Sequence, residues 1–209
     1  DEFGMQLKGF SYDYSALKLR KDSIVAGLVK GIEQLMKANG IEVLYGRARF
    51  TGKKTVTVAF PSGNATEITA DAIVVATGSV PAEPPVKGLD LPGVIGSDEL
   101  LEAGSLPKSM IIIGGGVIGI EFAGIYGTLG TDVTVLEYMP SILPGVDSEI
   151  ARRLATSLKR RGIKIETGVR VTEIRRERDS LKVCAGSGKG EMCHEAATVL
   201  VATGRKPNI

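Results

Sequence analysis

Apolar residues recur at helical spacing over residues 15–38, where Ile24, Leu28, Ile32 and Leu35 form a stripe that Val25, Val29 and Met36 widen. The pattern predicts an amphipathic helix, stopped by Asn39-Gly40. Residues 1–14 are mixed and predict loop. Short strands are predicted at 41–44 and 54–60, and a turn over 61–64 joins the second to a third at 66–68. Residues 72–76 then read Ala-Ile-Val-Val-Ala, a continuously apolar run that suits a strand covered on both faces.

Between residues 80 and 107 the periodicity lapses. Five prolines fall here (81, 84, 85, 92 and 107) out of nine in the chain. Proline fixes φ and lacks a donor, so a linker or wrapping loop is predicted, with one helical turn over 97–102 capped by Ser97. A domain boundary is placed near Pro107. Beyond it the chain alternates strand and helix: strand 110–113, helix 117–129 ended by Gly130, strand 132–136, helix 148–161 ended by Gly162, and strand 163–166. Alternating segments at 169–174 and 181–184 and a glycine-rich turn at 186–190 follow, and 198–202 is again a buried apolar strand.

Composition narrows the classes. The 209 residues are 43% hydrophobic and 24% charged, which is ordinary globular usage. With 26 basic and 24 acidic residues and no basic run, no nucleic-acid footprint appears. The longest uncharged apolar stretch, 110–120, is too short to cross a bilayer. Two cysteines, Cys184 and Cys193, are too few for an extracellular disulfide framework, and no signal peptide is seen, so a cytoplasmic setting is expected. Neither end reads like a natural terminus, and a fragment of a longer protein is expected.

Two segments echo each other. Residues 71–79 read Asp-Ala-Ile-Val-Val-Ala-Thr-Gly-Ser and 197–205 read Ala-Thr-Val-Leu-Val-Ala-Thr-Gly-Arg. They are either unrelated apolar strands or two copies of one unit, and hence two related domains. Ahead of the second copy, Gly114-Gly115-Gly116-Val117-Ile118-Gly119 fits G-x-G-x-x-G. A strand ends before it, a helix opens within it, and Glu137 ends the next strand 23 residues after Gly114 (137 − 114). Gly114 permits the tight turn, Gly116 lets the backbone approach a pyrophosphate, and Gly119 lets helix and sheet pack closely. Free N–H groups at the helix start then face the phosphates. A carboxylate at Glu137 accepts from both ribose hydroxyls of NAD and repels the 2′-phosphate of NADP, and no Arg or Lys lies between 138 and 151 to offset it. The plainer alternatives are a simple βα turn and an exposed acid at a strand end.

These residues, with Ile111 through Ala123, Gly130 through Glu137, the Ala-Thr-Gly-Ser at 76–79 and Gly204-Arg205-Lys206-Pro207, resemble the flavoprotein pyridine nucleotide-disulfide oxidoreductases, and within them the dihydrolipoamide-oxidising branch. The resemblance runs through nearly the whole chain. It implies an α/β, Rossmann-like two-dinucleotide-binding fold: a parallel sheet with helices plus a small antiparallel meander. Residues 1–107 would be part of an FAD-binding domain and 108–209 a complete NAD-binding domain. It also implies cofactor roles. Thr77, Gly78 and Ser79 would line the flavin side, and Ala48 would contact the adenine of FAD. Gly114, Gly115, Gly116, Val117, Ile118, Gly119, Ile120 and Glu121 would hold the pyrophosphate and nicotinamide end of NAD. Glu137 would hold the adenosine ribose, Val171 the adenine, and Gly204 would sit near the nicotinamide.

The family also needs a redox pair of closely spaced cysteines and a His–Glu pair from a dimerisation domain. Cys184 and Cys193 do not fit the first and read as structural, and His194 has no catalytic context. A Cys/His zinc site would fall short of four ligands, so no metal and no catalytic residue is assigned. In the intact protein the resemblance implies FAD- and NAD-dependent oxidation of dihydrolipoamide carried on a lipoyl domain of a 2-oxo acid dehydrogenase or related complex, by a homodimer, with no nucleic acid or membrane partner. The isolated chain is expected to be inactive. The rivals are a sister reductase acting on another disulfide, on peroxide or on a metal ion, a non-catalytic NAD-binding module, and a flavin-free dehydrogenase, which the repeated Ala-Thr-Gly argues against.

Overall fold

A computed structural model of the chain describes residues 11–188 and 190–209. The loop expected over residues 1–14 therefore lies mostly outside the described residues, as does position 189 of the glycine-rich turn. The described residues form two compact units, residues 16–77, and residues 78–209 together with residues 11–15.

The expected helix forms as α1 (Tyr14–Ala38), whose residues from Ala16 on belong to the smaller unit, and Gly40 at φ +66° ends it. Its apolar stripe is not buried: Leu28 is 65% exposed, Leu35 59%, and no residue of the helix is buried. A meander follows, β1 (Arg47–Gly52), β2 (Thr55–Ala59) and β3 (Ala65–Thr69), antiparallel in that order. Residues 41–44 are not a strand. The first strand lies further on, where Arg47 to Phe50 find register partners in Val56 to Ala59. Val58 is the one buried apolar side chain among described residues 16–77. The buried strand expected at 72–76 does not form, and Val74 is 86% exposed. An apolar run becomes a central strand only if ladders and covering layers meet it, and among the described residues no strand pairs with this one.

The larger unit opens with β4 (Ser79–Pro81), β5 (Val94–Ile95) and α2 (Ser97–Leu101) inside the proline-rich stretch. The cap of α2 is Gly96 rather than Ser97: the Gly96 N–H donates to Glu99 Oε2 at 3.0 Å, so the third helical residue closes the end. The βαβ succession is β6 (Ser109–Ile113), α3 (Val117–Thr128), β7 (Asp132–Glu137), α4 (Ser148–Arg160) and β8 (Lys164–Thr167). Asp147 caps α4 by accepting from the N–H groups of Glu149 and Ile150, at 2.9 and 3.1 Å. A second meander, β9 (Arg170–Glu177), β10 (Ser180–Ser187) and β11 (Gly190–Ala196), precedes β12 (Thr198–Val201) and β13 (Arg205–Pro207).

The central sheet is parallel throughout, in the order β5-β12-β6-β7-β8. Successive side chains of a strand point to opposite faces, which explains why β6 is apolar at every position after Ser109. Met110 and Ile112 pack with Phe122, Tyr126 and Leu158 on the helical face. Ile111 and Ile113 pack with Ile174, Leu181 and Val183 of the second meander. The fold is thus three-layered here, helices over sheet over meander.

Cys184 and Cys193 face each other across β10 and β11, Cα atoms 4.1 Å apart, and are joined as a disulfide. Cys184 is buried and Cys193 exposed. No group of metal-ligating side chains exists among the described residues. His194 Nε2 instead lies 3.1 Å from Glu166 Oε1. Among the described residues no helix is long and apolar enough to cross a membrane.

Candidate functional site

The carboxyl ends of β6, β7 and β12 lie side by side, and the loop leaving β6 turns across them. Gly114 turns with φ +113°, its N–H donating to Leu136 O at 2.9 Å. A Cβ at Gly114 would collide with the carbonyl oxygen of Ala202, and one at Gly119 with the carbonyl oxygen of Gly114. Both glycines therefore serve close approach of backbone to backbone. Gly116 differs. It is the N-cap of α3, at φ −72°, and a Cβ there would meet nothing within 4 Å. Its open side faces a cavity of about 730 Å³. The first N–H groups of α3, from Val117 on, have no carbonyl within the helix, and Val117 and Ile118 line that cavity.

Glu137 ends β7 inside the cavity wall, only 7% exposed, so it is not the solvated strand-end acid of the plainer reading. Its Oε2 accepts from the Gly115 N–H and its Oε1 from the Met139 N–H at 2.6 Å. A carboxylate offers about four acceptor sites. Two remain after these bonds, enough for a vicinal diol. The Gly115 bond also ties the acid to the glycine loop, and the Leu143 N–H donates to Gly115 O at 2.8 Å.

Of the residues singled out in the sequence, Gly114, Gly116, Val117, Ile118, Glu137, Val171 and Gly204 come together around this one cavity. Gly115, in the loop, and Gly119, in the first turn of α3, do not line it. Ile120 is buried in the core under α3, and Glu121 is exposed on that helix, neither lining the cavity. Gly78 and Ser79 stand beside Gly204 by another route. β4 and β13, which follow the two Ala-Thr-Gly copies, pair antiparallel, with Ser79 opposite Pro207. The Ala82 N–H donates to Gly204 O at 2.9 Å, and Arg205 Nε donates to Ser79 Oγ at 2.7 Å. Ala48, on β1 opposite Val58, and Thr77 are exposed residues of the smaller unit.

Three parts of the wall were not legible in the sequence. Pro84, Pro85 and Val86 line the cavity from the supposed linker. Tyr138 and Met139 continue from Glu137. Arg170 reaches the same rim because the N–H groups of Gly168 and Val169 donate to Met139 O and Glu137 O, at 2.9 and 3.0 Å. Its guanidinium stands over the Tyr138 ring, 6.0 Å from the centroid. Its proximity is not visible in residues 138–151 of the sequence, because only the fold brings 170 beside 138.

The family profile described as pyridine nucleotide-disulphide oxidoreductase matches residues 5–209. This chain belongs to that family. Family members use FAD and NAD. The chain is 38% identical over 208 residues to a dihydrolipoamide dehydrogenase of Chaetomium thermophilum, covering 98% of this chain and 41% of that protein. It is 35% identical to a dihydrolipoyl dehydrogenase of Bacillus subtilis, covering all of this chain and 45% of the relative. A solved structure of the HOCl-induced flavoprotein disulfide reductase RclA from Escherichia coli, a Cu(II) complex of a cysteine-to-serine mutant, superposes with a TM-score of 0.84 at 31% identity, over 95% of this chain and 44% of that one. The chain thus spans less than half the length of these family members, and it is a fragment of that architecture. The glycine cradle fits the dinucleotide such a family uses: a side-chain-free approach at Gly116, unspent N–H groups at a helix start, and a cavity in the usual volume range for ligand sites.

Proposed function

We propose that this chain is the NAD-binding portion of a dihydrolipoyl dehydrogenase, with residues 108–209 as its NAD-binding domain and residues 1–107 as part of its FAD-binding domain. The observation that carries the reading is the Gly116 cradle opening onto the cavity that Glu137 lines. The main-chain N–H groups at the start of α3 bind the diphosphate, favoured by the positive end of the helix dipole. Glu137 accepts from the adenosine ribose hydroxyls with the lone pairs its two main-chain bonds leave over, and it repels a 2′-phosphate. Val171 backs the adenine. Gly204 and the Pro84–Pro85–Val86 wall line the nicotinamide end. Gly78 and Ser79, held against the Gly204 turn through β4 and β13, set the flavin side next to the nicotinamide side. Thr77 and Ala48 belong to the flavin seat as well.

When bound, NAD supplies a hydride acceptor and FAD the relay between it and a dithiol. The whole protein oxidises dihydrolipoamide on the lipoyl carrier of a 2-oxo acid dehydrogenase or related complex, as a homodimer. The exposed α1 stripe and the exposed Val74 and Val75 are what a partial FAD-binding domain would leave open. Cys184 and Cys193 take no part in the dithiol chemistry.

Calorimetric titration with NADH and NADPH tests the site. NADH is expected to bind tighter than NADPH by at least about tenfold, and Glu137→Gln to narrow that gap. Tighter NADPH binding overturns the cofactor assignment, and no binding of either overturns the site. The chain supplied with FAD is expected to show no lipoamide turnover, and robust turnover would refute the partial-domain reading. A sister reductase acting on another disulfide, peroxide or metal ion is the second reading, supported by the superposition on the hypochlorous-acid-induced enzyme.

A further inference from the structure

One charged side chain in the cavity wall has no work to do in the fold. The Arg170 guanidinium makes no ion pair or hydrogen bond with any of the described residues, although it can donate five bonds. It opens β9 at an exposed position, so burial does not hold it in place either. What holds it is the Tyr138 ring, 6.0 Å below its Cζ. Tyr138 is itself 66% exposed, so the stacked pair stands at the rim of the cavity rather than in the core.

The location of the rim narrows its ligand. Glu137 lies one residue before Tyr138, and Val171 one residue after Arg170, and all four line the cavity. Phosphates belong at the other end, with the glycine loop and the start of α3. Next to Glu137 the wall offers apolar surface from Val169, Val171 and Met139, topped by one planar cation. Apolar backing with a guanidinium plane suits a flat, electron-rich heterocycle, since Arg stacks on ring faces as readily as it pairs with anions.

We propose that Arg170, oriented by Tyr138, is the residue that stacks on the adenine ring of the dinucleotide and makes the site selective for a purine at that end. This rests on the dinucleotide reading of the cavity. It adds a selectivity element thirty-three residues beyond Glu137 (170 − 137) that acts on the base, whereas Glu137 acts on the sugar.

The test measures dissociation constants, by quenching of reduced-nicotinamide fluorescence, for NADH, for NADPH and for the NADH analogue carrying cytosine in place of adenine. It uses the chain and its Arg170→Ala, Arg170→Lys and Tyr138→Leu variants, with melting temperatures as the check on folding. The unaltered chain is expected to prefer NADH over the cytosine analogue about tenfold. Arg170→Ala should weaken NADH binding about fivefold while barely changing the analogue, so that the preference collapses. Arg170→Lys should recover little of it, and Tyr138→Leu should lose about half, because the plane is no longer oriented. A preference for adenine that survives Arg170→Ala overturns the proposal, as does full recovery by Arg170→Lys. A selective loss of NADPH binding in Arg170→Ala also overturns it, since Arg170 would then be a counter-ion for a 2′-phosphate. Failure of the unaltered chain to bind NADH defeats the dinucleotide reading itself, which is a different result.

Discussion

Two glycines two positions apart in one loop carry different demands. At Gly114 the backbone sits at φ +113° and a Cβ would strike the Ala202 carbonyl, so Gly114→Ala is expected to cost about 2–4 kcal/mol, read as a lowered urea midpoint. At Gly116 φ is −72° and the Cβ direction is empty, so Gly116→Ala should leave the midpoint within about 0.5 kcal/mol but weaken NADH binding tenfold or more. Equal loss of stability in both variants would contradict the assignment of Gly116 to the ligand. A third single residue ties stability to pH. Burial pushes the Tyr126 phenol above its ordinary 10.0, and its bond to the Tyr14 hydroxyl, at 3.1 Å, adds to the shift. A raised folded-state value favours the neutral form, so this contribution is fully present below about pH 10 and is lost as pH climbs beyond it. Urea titrations at pH 9 and pH 11 should show the unaltered chain losing more stability than Tyr126→Phe across that interval.

Among the elements, the two Ala-Thr-Gly copies show what the pattern of residues can and cannot reveal. Both were expected to be buried strands. Residues 198–201 form β12 because β5 and β6 flank it on either side, and Val199 and Leu200 feed the cores on opposite faces. Residues 72–76 have equally apolar side chains and form no strand, because hydrophobicity records the wish for burial and not the presence of a neighbour. The helices α3 and α4 and the loop between β6 and α3 were legible for the opposite reason: helical apolar spacing, the glycine stops at 130 and 162 and the G-x-G-x-x-G spacing are local. Arg170 and the proline wall were not, since their place in the cavity depends on pairings remote in sequence. The hairpin of β10 and β11 gives a prediction of its own. Its disulfide closes a ten-residue span (184 to 193), for which loop entropy gives about 2–3 kcal/mol. The Cys184→Ser, Cys193→Ser double variant should unfold at correspondingly lower urea, and an unchanged midpoint would show that the meander stands without its bond.

For the whole molecule, burial is unevenly shared. Apart from Val58, every buried apolar residue described lies beyond residue 99, while α1 and the first meander present open faces. Local opening is easiest where few apolar side chains are covered. Hydrogen–deuterium exchange is therefore expected to label β1 to β3 within seconds to minutes and to leave β6, β7 and β12 protected far longer. Uniform protection along the chain would contradict this. The bond between Cys184 and Cys193 has a consequence at the same scale. Its Cys193 end is an exposed residue on the edge strand of the second meander, and disulfides within reach of solvent yield to a glutathione pool as reducing as that of the cytosol. The molecule is thus a passive recorder of its surroundings: rapid alkylation at the moment of lysis would trap free thiols from a reducing habitat and none from an oxidising one, and the tally would reveal where the chain had lived.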